Sequence, residues 1–170
     1  MFISLIIGGL TGLEREKSNQ FAGFRTHILV AVGSCITSIT AVQLFISYSS
    51  YSNMDPARLP AQVLSGIGFI GAGAILKNSS GITGLTTAAG IWATACIGIA
   101  IGYGQYLLGI VAWVLEMITL LSLKRIDKLF FKKSSCNLYL TISSLDAITT
   151  TFAILKECKI SIKNFDVNSK

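Results

Sequence analysis

The chain has 170 residues, of which 52% are hydrophobic and only 13% charged, and its formal net charge is +6. An average soluble domain carries about 25% charged residues, so this composition excludes an ordinary soluble domain. Between Pro60 and Leu123 the only charged residues are Lys77 and Glu116. The basic residues lie beside the ends of apolar runs, a placement typical of topology determinants that argues against nucleic acid as a partner.

Five apolar runs predict an all-α polytopic membrane bundle of about five transmembrane helices. The first run, residues 1–13, is shorter than the roughly 20 residues that cross a bilayer. Either its helix includes polar residues or the protein starts upstream; we interpret it as a retained span rather than a signal peptide. The other runs are residues 26–46, 60–76, 84–101 and 106–123. Residues 1–125 are the predicted transmembrane domain.

Charge segregation predicts the orientation of these spans. With five spans, one side of the membrane receives nearly all the basic residues, and the other side receives only Arg58. The residues on the basic side are Arg15, Lys17, Arg25, Lys77, Lys124, Arg125, Lys128, Lys132 and Lys133. We therefore expect an external N-terminus and a cytoplasmic C-terminus.

The chain changes character after the spans. Residues 126–135 are predicted to be a basic linker, and residues 136–170 a cytoplasmic β-α-β segment with strands at 136–142 and 159–167 and a helix at 143–158. A unit of this size is too small to bury a stable core alone. We expect it to pair with another subunit, to pack on the membrane domain, or to be cut short.

The sequence offers no pattern typical of an enzyme or a metal site. The four cysteines (Cys35, Cys96, Cys136 and Cys158) form no CxxC pair and are interpreted as reduced thiols. His27 is the only histidine, and a lone histidine is a poor metal site. The GxGxxG at residues 66–71 lies inside an apolar run, which favours helix packing over dinucleotide binding. We predict no catalytic, cofactor-binding or metal-binding residues.

Several charged residues allow two interpretations. The charges of the first loop either set orientation and pair locally, or Glu14 or Arg25 lies partly within the bundle. Asp55, before Pro56, is typical of a helix cap; the alternative is an external acceptor for Mg²⁺. Glu116 lies deep in the fifth run, where it must be protonated, paired or shifted towards an interface, and it is by default a functional candidate.

Small residues at helical spacing predict close helix packing. They are Gly8 and Gly12 in the first run, Ala61, Ser65, Gly68 and Ala72 in the third, and Gly84, Ala88, Ala95, Gly98 and Gly102 in the fourth. We therefore expect spans 1, 3 and 4 to pack on one another. Alternatively, Gly71 and Gly73 mark a broken helix whose carbonyl groups line a cavity.

Four segments together resemble a known family. They are GLEREK (12–17), AGFRTHILVAVG (22–33), DPARLPAQVLSGIGFIGAG (55–73) and GLTTAAGIWATACIGIAIGYGQY (84–106). In this order and spacing they resemble the MgtC/SapB family of bacterial inner-membrane proteins. The resemblance implies a multi-helix membrane domain followed by a cytoplasmic ACT-like β-α-β-β-α-β domain, of which residues 136–167 resemble the first half.

The resemblance also implies a physiological setting: magnesium limitation, acid tolerance, and virulence through survival inside phagocytes. Some family members resemble regulators that restrain the F-type ATP synthase. The residues that could carry function are Glu14, Arg15, Glu16, Gly23, Arg25, Thr26, Asp55, Arg58, Gln62, Ser65, Gly66, Gly84, Thr86, Thr87 and Trp92. Glu116 lies outside the resembling segments and is a candidate on physical grounds alone.

Two main functional hypotheses follow, beside a third, an oligomeric scaffold assembled through spans 1, 3 and 4. The first is a non-enzymatic membrane regulator that acts through protein–protein contacts in the bilayer, with the F-type ATP synthase or a second copy as candidate partners. The second is a Mg²⁺ transporter or channel component, which should offer carboxylates near the midplane. Glu116 alone meets that requirement, so the sequence favours the first hypothesis.

Overall fold

The computed structural model describes residues 1–48, 50, 54–78, 81–130, 151 and 155, with the backbone alone for residues 123–130. Within this part the chain forms five helices and one hairpin. They are α1 (Phe2–Lys17), α2 (Phe24–Tyr48), α3 (Arg58–Gly73), β1 (Leu76–Asn78), β2 (Gly81–Thr83), α4 (Leu85–Gly102) and α5 (Tyr106–Phe130).

Each apolar run contains one helix, so the prediction of a mainly helical chain is confirmed. The helix α1 extends through the polar residues 14–17. This agrees with the first alternative for the short run, a helix that includes polar residues. Among the described residues, α2 and α4 are long and apolar enough to cross a membrane, and α5 holds a shorter apolar stretch, Tyr106–Ser122. The number of spans stays a prediction.

The turn between α1 and α2 is closed by polar contacts. Asn19 adopts a left-handed φ of 51°, and the N–H groups of Ser18 and Gln20 donate to the carbonyl oxygen of Arg15. The carboxylate of Glu16 then accepts a hydrogen bond from the Phe24 N–H at 3.0 Å. A carboxylate at this position accepts a hydrogen bond from a free N–H of α2, and its negative charge is stabilised by the positive end of the helix dipole.

The opposite end of the bundle ties α3 to α4. The Asp55 carboxylate accepts a hydrogen bond from the Ala57 N–H at 2.8 Å, in agreement with its capping interpretation. The Tyr103 hydroxyl donates to the Pro56 carbonyl oxygen at 2.7 Å. Burial raises the pKa of Tyr103, and the Asp55 charge raises it further, so this hydroxyl stays a hydrogen-bond donor.

A short antiparallel hairpin joins α3 to α4. Its register pairs Leu76 with Thr83 and Lys77 with Ile82. Gly84 ends the hairpin with a φ of 90°, and a Cβ there would overlap the carbonyl oxygen of Ala74. Only glycine combines this backbone angle with so close an approach. Because α3 already ends at Gly73, the last residues of the third predicted run belong to the hairpin.

The helix α2 is the centre of the bundle and packs against α1, α3 and α4. A Cβ at Gly8 would lie 2.7 Å from the carbonyl oxygen of His27, and a Cβ at Gly12 would lie 2.6 Å from the Cα of Phe24. From the other side, a Cβ at Gly102 would lie 2.6 Å from the carbonyl oxygen of Cys35. Glycines therefore allow two helices to meet the α2 backbone directly.

The expectation that spans 1, 3 and 4 pack on one another is confirmed for α4, which contacts both α1 and α3, but the faces used differ from those predicted. The glycines of α1 and α4 meet α2, while the predicted packing face of α3 is exposed: Ala61, Ser65, Gly68 and Ala72. The helix α3 instead meets α4 through Gly71, beside the half-buried Ala88. Helical spacing identified residues that share a face, but the rotation of α3 turns that face outwards.

The last helix is longer than predicted. It continues to Phe130 and so includes the first residues of the segment predicted as a linker. Neither glycine nor proline interrupts residues 111–130, which allows the helix to continue past the apolar run. Apart from Thr151 and Leu155, the predicted β-α-β segment lies outside the described residues, so its ACT-like character stays a prediction, as do Cys136 and Cys158 as reduced thiols.

Candidate functional site

The interior of the bundle is unusually polar for helices of this composition. Its fully buried or nearly buried polar side chains are Ser4, Thr11, Arg15, His27, Ser34, Ser38, Thr87 and Thr94. Polar groups at membrane depth are costly unless they find partners, and charged groups there mark functional sites. We call Thr11, Arg15, His27, Thr94, Trp113 and Glu116 the interior polar cluster.

The cationic member of the interior polar cluster is Arg15, near the end of α1. Its side chain is 3% exposed and forms an ion pair with the neighbouring Glu14. The Ser18 hydroxyl donates to the other oxygen of Glu14 at 2.7 Å. Pairing makes a buried arginine tolerable, because the carboxylate compensates for lost hydration.

The acidic member is Glu116, halfway along α5. Its Oε1 accepts a hydrogen bond from the Thr94 hydroxyl of α4 at 3.2 Å, and Arg15 lies within electrostatic range of its carboxylate. Its Oε2 is buried without a hydrogen-bond partner among the described residues. Among the described residues Glu116 is thus partnered by Thr94 of α4, as a carboxylate or as a carboxylic acid.

Two further contacts complete the interior polar cluster. The Trp113 indole N–H donates to the Thr11 hydroxyl at 3.1 Å and so joins α5 to α1. His27 is fully buried, and its Nδ1 lies 3.0 Å from the Gly23 carbonyl oxygen. These hydrogen bonds join α5 to both α1 and α4, and His27 of α2 lies where Gly8 of α1 approaches the α2 backbone.

The first loop is fastened to α4 beside this region. The Thr87 hydroxyl donates to the Gln20 side-chain oxygen at 3.1 Å, and the Gln20 amide donates to the Ser18 carbonyl oxygen at 3.1 Å. Thr87 is fully buried. The contact fixes the loop against the start of α4.

The sequence candidates of the first loop divide into two groups. Glu14 and Arg15 turn towards the interior, whereas Glu16 and Arg25 are exposed. Gly23 lies against Glu16, and a Cβ there would lie 3.0 Å from its Oε2. Arg25 is therefore not within the bundle; Thr26, next along α2, is half-buried.

The remaining candidates do not join the interior polar cluster. On α3 and before it, Asp55, Arg58, Gln62, Ser65 and Gly66 are exposed, as are Thr86 and Trp92 on α4. Gly84 closes the hairpin, and Thr87 binds the first loop. The sequence candidates thus form an interior set and a surface set rather than one site.

Four members of the interior polar cluster were not among the sequence candidates. They are Thr11, His27, Thr94 and Trp113, of which His27 was weighed only as a metal ligand. The sequence signal that could have identified them was a polar side chain inside an apolar helix, together with a glutamate on a later helix that could be its partner. Their pairing depends on helix rotation, which no local pattern supplies.

The described residues contain no group of three or more His, Cys, Asp or Glu side chains placed to hold a metal ion. Cys35 is buried and Cys96 is half-buried, and both are free thiols. The ionisable members of the interior polar cluster are one carboxyl group, one imidazole and one guanidinium, and the guanidinium of Arg15 pairs with the neighbouring Glu14.

Comparison with known proteins decides the family, because the model of the MgtC family matches residues 1–129, about three quarters of the chain. The chain belongs to the MgtC family. It is 40% identical over 153 residues to a protein of Escherichia coli K12 named "Putative magnesium transporter YhiD", covering 89% of this chain and 70% of that protein.

Two other relatives of this MgtC-family chain are shorter matches. Protein SapB of Bacillus subtilis is 48% identical over 107 residues, which cover 61% of this chain and 46% of SapB. Protein MgtC of Salmonella typhimurium 14028s is 38% identical over 106 residues, which cover 62% of this chain and 43% of MgtC. No solved structure matches the chain significantly. The membership and the apolar helices identify a membrane protein.

Proposed function

We propose that the chain is a non-enzymatic regulator in the bacterial inner membrane, linked to magnesium limitation, acid tolerance or virulence. It acts by binding other membrane proteins through helix–helix contacts in the bilayer. The candidate partners are the F-type ATP synthase and a second copy of the chain. Family membership supports the setting, and the surface of α3 supports the mode of action.

The observation that carries this proposal is the outward face of α3. Ala61, Ser65, Gly68 and Ala72 are exposed, and a Cβ added at Gly68 would meet nothing within 4 Å. Beside them Phe69 is 86% exposed. Small residues allow a partner helix to approach closely, and a neighbouring aromatic ring adds contact area.

The proposed topology is a multi-pass protein with a cytoplasmic C-terminus. If the five helices alternate in direction across the membrane, the first loop, the hairpin and the end of α5 share one side. Lys17, Arg25 and Lys77 are exposed at that end. A basic edge favours the cytoplasmic side and contact with anionic lipid. The ACT-like segment would then extend into the cytoplasm.

A reconstitution experiment tests the regulatory function. F-type ATP synthase in liposomes is supplied with ATP, and proton pumping is followed with a pH-sensitive dye, with and without the protein. The proposal expects slower pumping, and relief by Gly68→Leu because the larger side chain blocks close approach. The matched control is Val111→Leu, another exposed position in an apolar helix. Unchanged pumping with the wild-type protein contradicts the ATP synthase as partner.

The name of YhiD supports a second candidate function, a Mg²⁺ transporter or channel component. The assay is Mg²⁺ entry into liposomes that contain the purified protein and a Mg²⁺-sensitive dye. Mg²⁺ flux above that of empty vesicles supports transport. A lower flux in Glu116→Gln or Asp55→Asn identifies the path. Folded protein without flux removes this alternative.

A further inference from the structure

The buried imidazole of His27 has an unmet hydrogen-bonding need. Its Nδ1 lies 3.0 Å from the Gly23 carbonyl oxygen. A carbonyl oxygen only accepts, so Nδ1 must be the donor, and in the neutral ring Nε2 is left as an acceptor. Among the described residues nothing donates to this buried Nε2. A donor other than these side chains is required.

Glu116 has the same need in either protonation state. With Oε1 occupied by Thr94, a carboxylate requires a donor for Oε2, whereas a carboxylic acid requires an acceptor for its O–H group. The described side chains provide neither to this buried oxygen. A water molecule can donate or accept and so meets both requirements.

These two needs arise on helices that both contact α1. A Cβ at Gly8 of α1 would lie 2.7 Å from the His27 carbonyl oxygen, and Trp113, about one turn before Glu116 on α5, donates to Thr11 of α1. Arg15, one turn after Thr11 on α1, forms the ion pair with Glu14. On α4 the half-buried Cys96 lies two residues after Thr94, whereas the arginine that begins α3 is exposed.

We propose that Arg15, His27 and Glu116 border a hydrated site inside the bundle, where bound water exchanges protons with the Glu116 carboxyl group. The proton passes from a hydronium ion to Oε2: one O–H bond forms on the carboxylate, one breaks in the hydronium, and water remains. The buried hydroxyl groups of Ser4 in α1 and Ser34 in α2 also lack hydrogen-bond partners among the described residues. This site goes beyond the proposed regulatory function and does not depend on it.

Infrared difference spectroscopy of the full chain in liposomes tests the proposal. Spectra are recorded over a pH series in water and in deuterium oxide. We expect a carboxyl C=O band that changes with pH, shifts rapidly in deuterium oxide, and is lost in Glu116→Gln. Asp55→Asn is the matched control, because that carboxylate is exposed and distant in the fold, and it should retain the band.

A second variant keeps the test valid if Glu116→Gln fails to fold. Thr94→Val removes the hydroxyl that donates to Oε1 but leaves the carboxyl group in place. Loss of a hydrogen bond to the C=O group should raise the frequency of the same band. The proposal is overturned if folded protein shows no pH-dependent band assignable to Glu116, or if that band resists exchange in deuterium oxide.

Discussion

Replacing Gly8 by alanine should destabilise the bundle, because α1 meets the backbone of α2 at this position. The new Cβ would lie 2.7 Å from the carbonyl oxygen of His27 and 2.9 Å from the Cβ of Ala31, whereas ordinary contact begins at 3.4 Å. The helices must therefore separate by about 0.7 Å, the difference between those distances. Overpacking of this kind costs about 1–3 kcal/mol.

Gly68→Ala is the matched control for this change. Both positions lie inside helices, so both variants gain the better helix propensity of alanine, at most about 1 kcal/mol. Since a Cβ at Gly68 meets nothing within 4 Å, the difference between the two variants isolates the steric penalty at α2. We expect Gly8→Ala to be less stable than Gly68→Ala by about 1–3 kcal/mol.

The assay is reversible unfolding in mixed micelles of a mild detergent and dodecyl sulfate, followed by tryptophan fluorescence. Protein concentration is kept low enough for the chain to remain monomeric. If neither variant is destabilised, the close approach of α1 to α2 is refuted. Destabilisation by Gly68→Ala as large as that by Gly8→Ala would show that the α3 face is packed within the monomer.

Three further predictions use the same unfolding assay. Gly84→Ala should abolish folding or nearly so, because the residue has a φ of 90° and the added Cβ would overlap the carbonyl oxygen of Ala74. Gly81→Ala should be milder, because a Cβ there would meet nothing within 4 Å. A double-mutant cycle of Thr94→Val with Glu116→Gln should give a coupling of about 0.6 kcal/mol, and strict additivity would contradict their hydrogen bond. Tyr103→Phe should cost about 1 kcal/mol by freeing α3 from α4; no loss would count against that bond.

The positions of the helices could be predicted from the sequence, because a long apolar run in a membrane forms a helix in nearly every case. The fourth run was predicted at residues 84–101, and α4 occupies Leu85–Gly102. The boundaries follow glycines and polar loops, which are local signals. The end of α5 was less predictable, because the basic residues that follow Leu123 set orientation without ending a helix.

The arrangement of the helices was less accessible. Small residues on α3 and α4 follow similar spacing, yet Gly98 is buried against α2 while Gly68 is exposed. The same limit applies to the interior polar cluster: Glu116 could be recognised as exceptional, but its partner Thr94 depends on how α4 and α5 are rotated. Residue spacing shows which side chains share a face of a helix, and tertiary packing determines whether that face is buried or exposed.

The glycines that line α2 also have a mechanical consequence. Where backbones touch, the separation of helices is set by covalent geometry rather than by flexible side chains, so we expect α1, α2 and α4 to behave as a single stiff block. A perturbation at one end of this block is transmitted as a displacement of whole helices instead of being absorbed by rotamer changes. The helices α3 and α5 are then the elements that we expect to adjust, α5 through the hydrogen bonds that join Trp113 to Thr11 and Glu116 to Thr94.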